Sequence, residues 1–161
     1  MRQTPTWPVL RRSRNTSPML TIDPAVFRPE AVPPETQALN DQVEAYFKTV
    51  PSIMEVGAAK TREARAKGEG PIGLQPPHPI ARWETAQALG LDVPVRVFRP
   101  SGVLKGVYLH IHGGGWSIGS ADAQDQTLGH LAESLSIGVV SVEYRLAPEH
   151  VWPAQGDDCE A

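Results

Sequence analysis

Cysteine is nearly absent from this sequence: Cys159 is the single one among 161 residues. One cysteine cannot close an internal disulfide and offers no cysteine pair at metal-ligand spacing, so a reducing, cytoplasmic setting is the expectation. Long apolar runs are absent too, and nothing approaches the roughly 20 apolar residues needed to span a bilayer. Charge of one sign is also scarce: 15 Lys and Arg stand against 18 Asp and Glu, a formal net charge of -3. Without a basic block, a nucleic-acid footprint or a polybasic membrane patch has no support, and a small, roughly neutral ligand fits better. The first eighteen residues carry Arg2, Arg11, Arg12 and Arg14 and no acidic residue. Their longest apolar run is Val9 and Leu10, too short for the core of a secretory signal. Residues 1–21 therefore read as a disordered leader, with Met19 an alternative initiator.

What is present is the composition of a soluble globular chain, with 40% hydrophobic residues and a length that favours one domain. Four prolines between Ile22 and Pro34 make that stretch an irregular arm. Leu39, Val43, Tyr46, Phe47 and Val50 recur at helical spacing and predict an amphipathic helix over 35–49, ended by Pro51. A second, basic helix is expected over 58–67, stopped by Gly68 and Gly70 and followed by the prolines at 71, 76, 77 and 79. Residues 22–79 form this arm and helical segment, and residues 80–161 are different in character.

In the second region, 80–89 is extended, Gly90, Leu91 and Asp92 form a turn, and 93–98 alternates, which together predict a hairpin. The run from Gly106 to His112 reads as a buried strand. Residues 123–135 read as a helix from the spacing of Leu128, Leu131 and Leu135, with Asp122 as N-cap. Ile137 to Tyr144 is a further buried strand, and another helix begins near Pro153. Strand, glycine loop, helix and strand make a βαβ unit with a right-handed crossover, hence an α/β core with parallel pairing.

The chemistry is concentrated in His112-Gly113-Gly114-Gly115-Trp116, directly after the predicted strand. Three consecutive glycines cost backbone entropy, and the compensating reason can be geometric. They let neighbouring N–H groups turn outward together and let a ligand oxygen approach the main chain, which an oxyanion hole requires. A tight connection or a phosphate cradle is the competing reading, but neither a P-loop pattern nor a dinucleotide-binding pattern is present.

These residues, followed by IGSADAQD at 118–125 and VVSVEYRLAPEHVWPA at 139–154, resemble the bacterial esterases related to hormone-sensitive lipase and arylacetamide deacetylase. The resemblance implies an α/β-hydrolase fold, here incomplete: an N-terminal helical cap segment over 22–79 and the first strands of a mostly parallel sheet over 80–161. It further implies that the N–H groups of Gly114 and Gly115 serve an oxyanion, that Gly113 shapes the turn, that His112 braces the loop from beneath, and that Trp116 lines the substrate pocket. The substrate would be a small ester, with no metal or organic cofactor. By the same resemblance the nucleophilic serine, the acid and the histidine belong to polypeptide past Ala161. The chain by itself is then expected to be inactive as an esterase and to expose an open strand edge. A complementing C-terminal chain or a homo-oligomer would cover that edge.

Other arrangements compete. Gly115-Trp116-Ser117-Ile118-Gly119 satisfies G-x-S-x-G, and Ser117, Asp125 and His150 follow the order of a charge-relay set, but Ser117 does not lie on a direct strand-to-helix turn. His110 and His112 share a strand face, as two metal ligands might in a metal-dependent hydrolase, but no third ligand follows. His110 is expected as a hydrogen-bonded core histidine. Arg145 and Glu149 are read as a pair pinning the bend at Pro148. A non-catalytic module holding a small carbonyl or carboxylate at Gly114 and Gly115 is the remaining alternative.

Overall fold

The computed structural model describes residues 22–161, so the leader expected at 1–21 and the question of Met19 lie outside the described residues. Two units are distinguished, one ending at Leu39 and the other running from Asn40 to Ala161. Between Asp23 and Val32 the proline-rich arm is more regular than its composition predicts. It forms two 3-10 turns, Pro24–Phe27 and Pro29–Ala31, each opened by proline, and the Asp23 carboxylate accepts from Ala25 N. Proline supplies the preset φ that a first helical position needs.

Helix α1, Pro34–Thr49, carries Glu35 in its first turn and Lys48 in its last, each complementing the helix dipole. Its apolar stripe is left uncovered: Val43, Tyr46 and Val50 are only half-buried, and Phe47 is 57% exposed. Polar bonds tether it instead, Tyr46 Oη to Glu69 O at 2.8 Å and Gln42 Nε2 to Pro71 O at 3.1 Å. A one-turn helix α2, Ile53–Val56, was not expected, although Ser52 and Glu55 form the capping box that announces it. Helix α3, Ala58–Ala66, follows after Gly57.

Strands β1, Ala81–Ala88, and β2, Leu91–Phe98, form the expected hairpin. Its turn is Leu89–Gly90, both with positive φ (54° and 79°), rather than 90–92. A two-residue turn that follows the strand twist needs left-handed conformations at both central positions. Leu91 and Asp92 are thereby freed to pair with Ala88 and Gln87. Strand β3, Val107–Ile111, helix α4, Asp125–Leu135, and strand β4, Gly138–Val142, give the βαβ unit, with β3 and β4 parallel. The sheet order is β1-β2-β4-β3, and β2 pairs with both β1 and β4 antiparallel. The sheet is mixed, and its parallel part is the β4-β3 pair. Helix α5, Ala154–Glu160, closes the described chain.

Each face of the sheet has its own core. Ala81, Phe98, Leu128, Ala132 and Val139 pack on the α4 side. Val93, Val142 and Tyr144 pack on the other, with Leu146, Cys159 and Ala161 against them. Helix α4 begins at Asp125, two residues later than expected, and Gln124 rather than Asp122 is its N-cap. Asp122 instead accepts from Ser120 Oγ. The Asp125 carboxylate is drawn onto the sheet by Arg96, at 2.5 Å from Nη2 with both groups buried, and this fixes where the helix starts. The buried stripe of α4 is Asp125, Leu128, Gly129 and Ala132, while Leu135, part of the predicted stripe, is 51% exposed. At Gly129 the buried His78 ring occupies the space a Cβ would need, and this close approach turns the Gly129 side of α4 inward.

Candidate functional site: the glycine loop

The loop after β3 begins with a fixed base. His112 is 5% exposed and stacks on Tyr144, ring centroids 4.1 Å apart and 12° from parallel. Its Nδ1–H donates to Gly113 O at 3.0 Å, and the Tyr144 hydroxyl donates to His112 O at 2.6 Å. The ring of Tyr144, two residues past the end of β4, thus ties the exit of β3 to the exit of β4. The bracing role expected for His112 has this packing behind it.

Above that base the chain turns through three successive left-handed residues: Gly114 (φ 131°), Gly115 (φ 59°) and Trp116 (φ 56°). A Cβ on Gly114 would fall on the Ile118 carbonyl, so glycine is required there for space as well as for φ. Gly114 O accepts from both Ser117 N (3.2 Å) and Ile118 N (3.1 Å). By contrast, the N–H groups of Gly114 and Gly115 have no protein acceptor among the described residues. Gly113 has open space on its Cβ side. Trp116 stands 65% exposed. Two hollows among the described residues, of about 450 and 330 Å³, are lined by other residues, so Trp116 walls neither.

Partners the sequence did not indicate hold this loop. Arg62 of α3 donates from Nη1 to Ser117 O (2.7 Å) and Ala147 O (3.1 Å), and from Nη2 to Glu149 Oε1 (2.5 Å). Ala147 N in turn donates to Trp116 O at 2.8 Å. The expected Arg145–Glu149 pair does not form. Arg145 makes a forked bond to the buried Asp158 of α5, because the chain bends at Pro148 and sends Glu149 to the α3 side. Gly119 (φ 98°) was missed as well: a Cβ there would lie 2.5 Å from Gly113 O and 2.6 Å from His112 Nδ1. Its signal in the sequence was only a further glycine a few residues on.

The competing arrangements are kept apart. The Ser117 hydroxyl bonds Gly115 O; Asp125 is committed to Arg96 and His78 N; neither meets His150. His110 makes the hydrogen bond expected of it, 2.8 Å to the fully buried Ser141, but on the edge strand it is only half-buried rather than in the core; burial followed by the proximity of His112 lowers its pKa. No group of three His, Cys, Asp or Glu among the described residues is placed to hold a metal. Glu143 accepts from Ala121 N at 2.5 Å. Burial raises its pKa above the usual carboxyl value, against the opposing pull of that N–H and of His112. No helix among the described residues is long and apolar enough to cross a membrane.

Known proteins resemble this chain in sequence and in fold. Residues 108–161 match the model of the alpha/beta hydrolase fold family. The chain is 36% identical over 138 residues to carboxylesterase NlhH of Mycobacterium tuberculosis, covering 84% of this chain and 41% of that protein. It is 29% identical to ethyl acetate hydrolase of Pseudomonas putida, over 75% of this chain and 43% of the relative. Among solved structures, the ester hydrolase EH1AB1 from the metagenome of Lake Arreo superposes with a TM-score of 0.62 at 30% identity, covering 79% of this chain and 42% of that one. The chain therefore spans about two fifths of the length of these relatives. Residues 108–161 thus fall in the α/β-hydrolase fold family, and the described chain has a partial α/β-hydrolase fold.

Proposed function

We propose that this chain is the N-terminal, oxyanion-hole-bearing part of a serine carboxylesterase acting on small uncharged esters. In this reading residues 22–79 are the arm and cap segment and 80–161 the first half of the hydrolase core. The serine, acid and histidine come from polypeptide equivalent to the part of the relatives that the chain does not match. The observation that carries the reading is the pair of N–H groups on Gly114 and Gly115. They are unengaged by protein acceptors in a loop whose Ser117 and Ile118 N–H groups are both satisfied. Attack on an ester carbonyl moves negative charge onto its oxygen, and fixed donors aimed at that position lower the barrier by about 2.7–4 kcal/mol for one donor. Gly113 shapes the turn, His112 braces the loop from beneath, and Trp116 lines the substrate pocket. No metal or organic cofactor is invoked. The single cysteine suits the cytoplasm.

Hydrolysis of p-nitrophenyl acetate and butyrate tests this, by the chain alone and by the chain joined to the unmatched portion of carboxylesterase NlhH. The chain alone should show no turnover above buffer. The joined protein should turn over, and Gly114→Val should reduce its kcat by about 100-fold or more. Phosphonate-sensitive turnover by the chain alone that disappears with Ser117→Ala would move the nucleophile to Ser117 and overturn the reading.

A further inference from the structure

No residue of helix α3 is fully buried, and Ala58, Thr61, Arg62 and Ala64 are half-buried, so the packing of two alanines does not by itself explain why it is held where it is. Arg62 does. Its side chain is 24% exposed, and its three bonds reach Ser117 O, Ala147 O and the Glu149 carboxylate. Only the planar, forked guanidinium reaches three acceptors in this way; a lysine ammonium would have to choose among them. The bonds also close a ring, because Ala147 N donates to Trp116 O, the carbonyl next to Ser117. Ser117 N and Ile118 N converge on Gly114 O, so a shift of the Ser117 peptide is passed directly to Gly114. A loop with three successive left-handed residues has little stiffness of its own, and its geometry is set by what grips it.

We propose that Arg62 is the positioning residue of the glycine loop, through which helix α3 sets the direction of the Gly114 and Gly115 N–H groups. Its catalytic consequence rests on reading the loop as an oxyanion hole. The coupling runs both ways: a ligand that displaces α3 slackens the loop, and a ligand held by the loop fixes α3.

The test is the amide spectrum of the full chain labelled with ¹⁵N, with acetate as the anion probe. In Arg62→Gln the Gly114 and Gly115 signals should move or broaden while those of β2 and β4 stay in place. The acetate response at the two glycines should weaken at least tenfold. Guanidinium at millimolar concentration should restore both in Arg62→Ala, whereas Arg62→Lys should not. Where Arg62→Gln does not fold, Glu149→Gln, which keeps both carbonyl bonds, should still displace the same two signals by a smaller amount. Gly114 and Gly115 signals that superpose on those of the parent chain overturn the proposal. Displaced signals uphold Arg62 as the anchor even where the parent shows no acetate response, and that absence would count against the oxyanion reading alone.

Discussion

Strands β3 and β4 are nearly interchangeable as sequence, VYLHI and GVVSV, and they pair with each other in parallel register. Their surroundings are opposite. In β4, Val139 and Ser141 are fully buried and Val142 is 4% exposed, with β2 on one side and β3 on the other. In β3, Val107 is 72%, Leu109 53% and Ile111 52% exposed, and the strand forms the edge of the described sheet. An apolar strand states a demand for cover; its own residues do not say where the cover comes from. The glycine loop grows from the strand whose demand is unmet within the described residues.

The contrast can be broken most strongly by charge. Val139→Asp should cost several kcal/mol, because a carboxylate would be buried without a partner, and the chain should fail to fold at ordinary temperature. Leu109→Asp on β3 should cost about 0.5 kcal/mol or less and reduce self-association, read by thermal melting and light scattering. Equal destabilisation by the two would mean that β3 is covered in solution. Next in size, Arg96→Met removes the ion pair that ties α4 to β2 and leaves the buried Asp125 carboxylate with only the His78 N–H, an expected loss of about 3–5 kcal/mol in chemical denaturation. A loss under 1 kcal/mol would show that α4 does not depend on this pair.

The link between the two strand exits is weaker. Tyr144→Phe deletes the bond to His112 O while keeping the stacked ring, and should lower stability by about 0.5–1.5 kcal/mol and loosen the bonded Ser117 and Ile118 amides to hydrogen exchange. Unchanged exchange there would remove Tyr144 from the loop's support. The smallest effect is at Glu143, the residue just past β4. Burial first, opposed by the Ala121 N–H and His112, raises the Glu143 pKa, so the folded state holds this proton more tightly than the unfolded one. Its contribution to stability therefore falls as pH rises from the ordinary Glu value of about 4.3 through the raised one. Glu143→Gln should melt with the parent at acid pH and above it near neutrality; the reverse trend would mean that the ionised carboxylate is favoured in place.

Much of this fold is written in local pattern. The hairpin, the βαβ unit and the glycine loop follow from short extended runs, leucines at helical spacing and the glycines that break them, and the structure shifts the expected element boundaries by only a few residues. What holds the loop is not written locally. Arg62 and Glu149 are separated by 87 positions, and nothing in either neighbourhood pairs them. Arg145 and Glu149, four apart, suggested a bond by proximity, whereas Arg145 finds Asp158 thirteen positions on. The Tyr144 and His112 stack was hidden in the same way, since each ring reads as an ordinary residue at the end of a strand. Helix α1 shows the converse: its apolar spacing predicted the helix and said nothing about whether Phe47 would be covered.

Gly119 closes against the His112 ring and Gly113 O, and Gly115 supplies a left-handed turn. Each glycine has a steric reason of its own, and the four-residue distance between them is set by the width of the turn they enclose. A serine happens to stand midway. On the proposed reading, the G-x-S-x-G string is a by-product of fitting a loop over an imidazole. Any scan for nucleophilic serines by letters alone will flag chains built like this one, and the sign of φ around the serine, with the absence of a helix directly behind it, is the filter that separates the two.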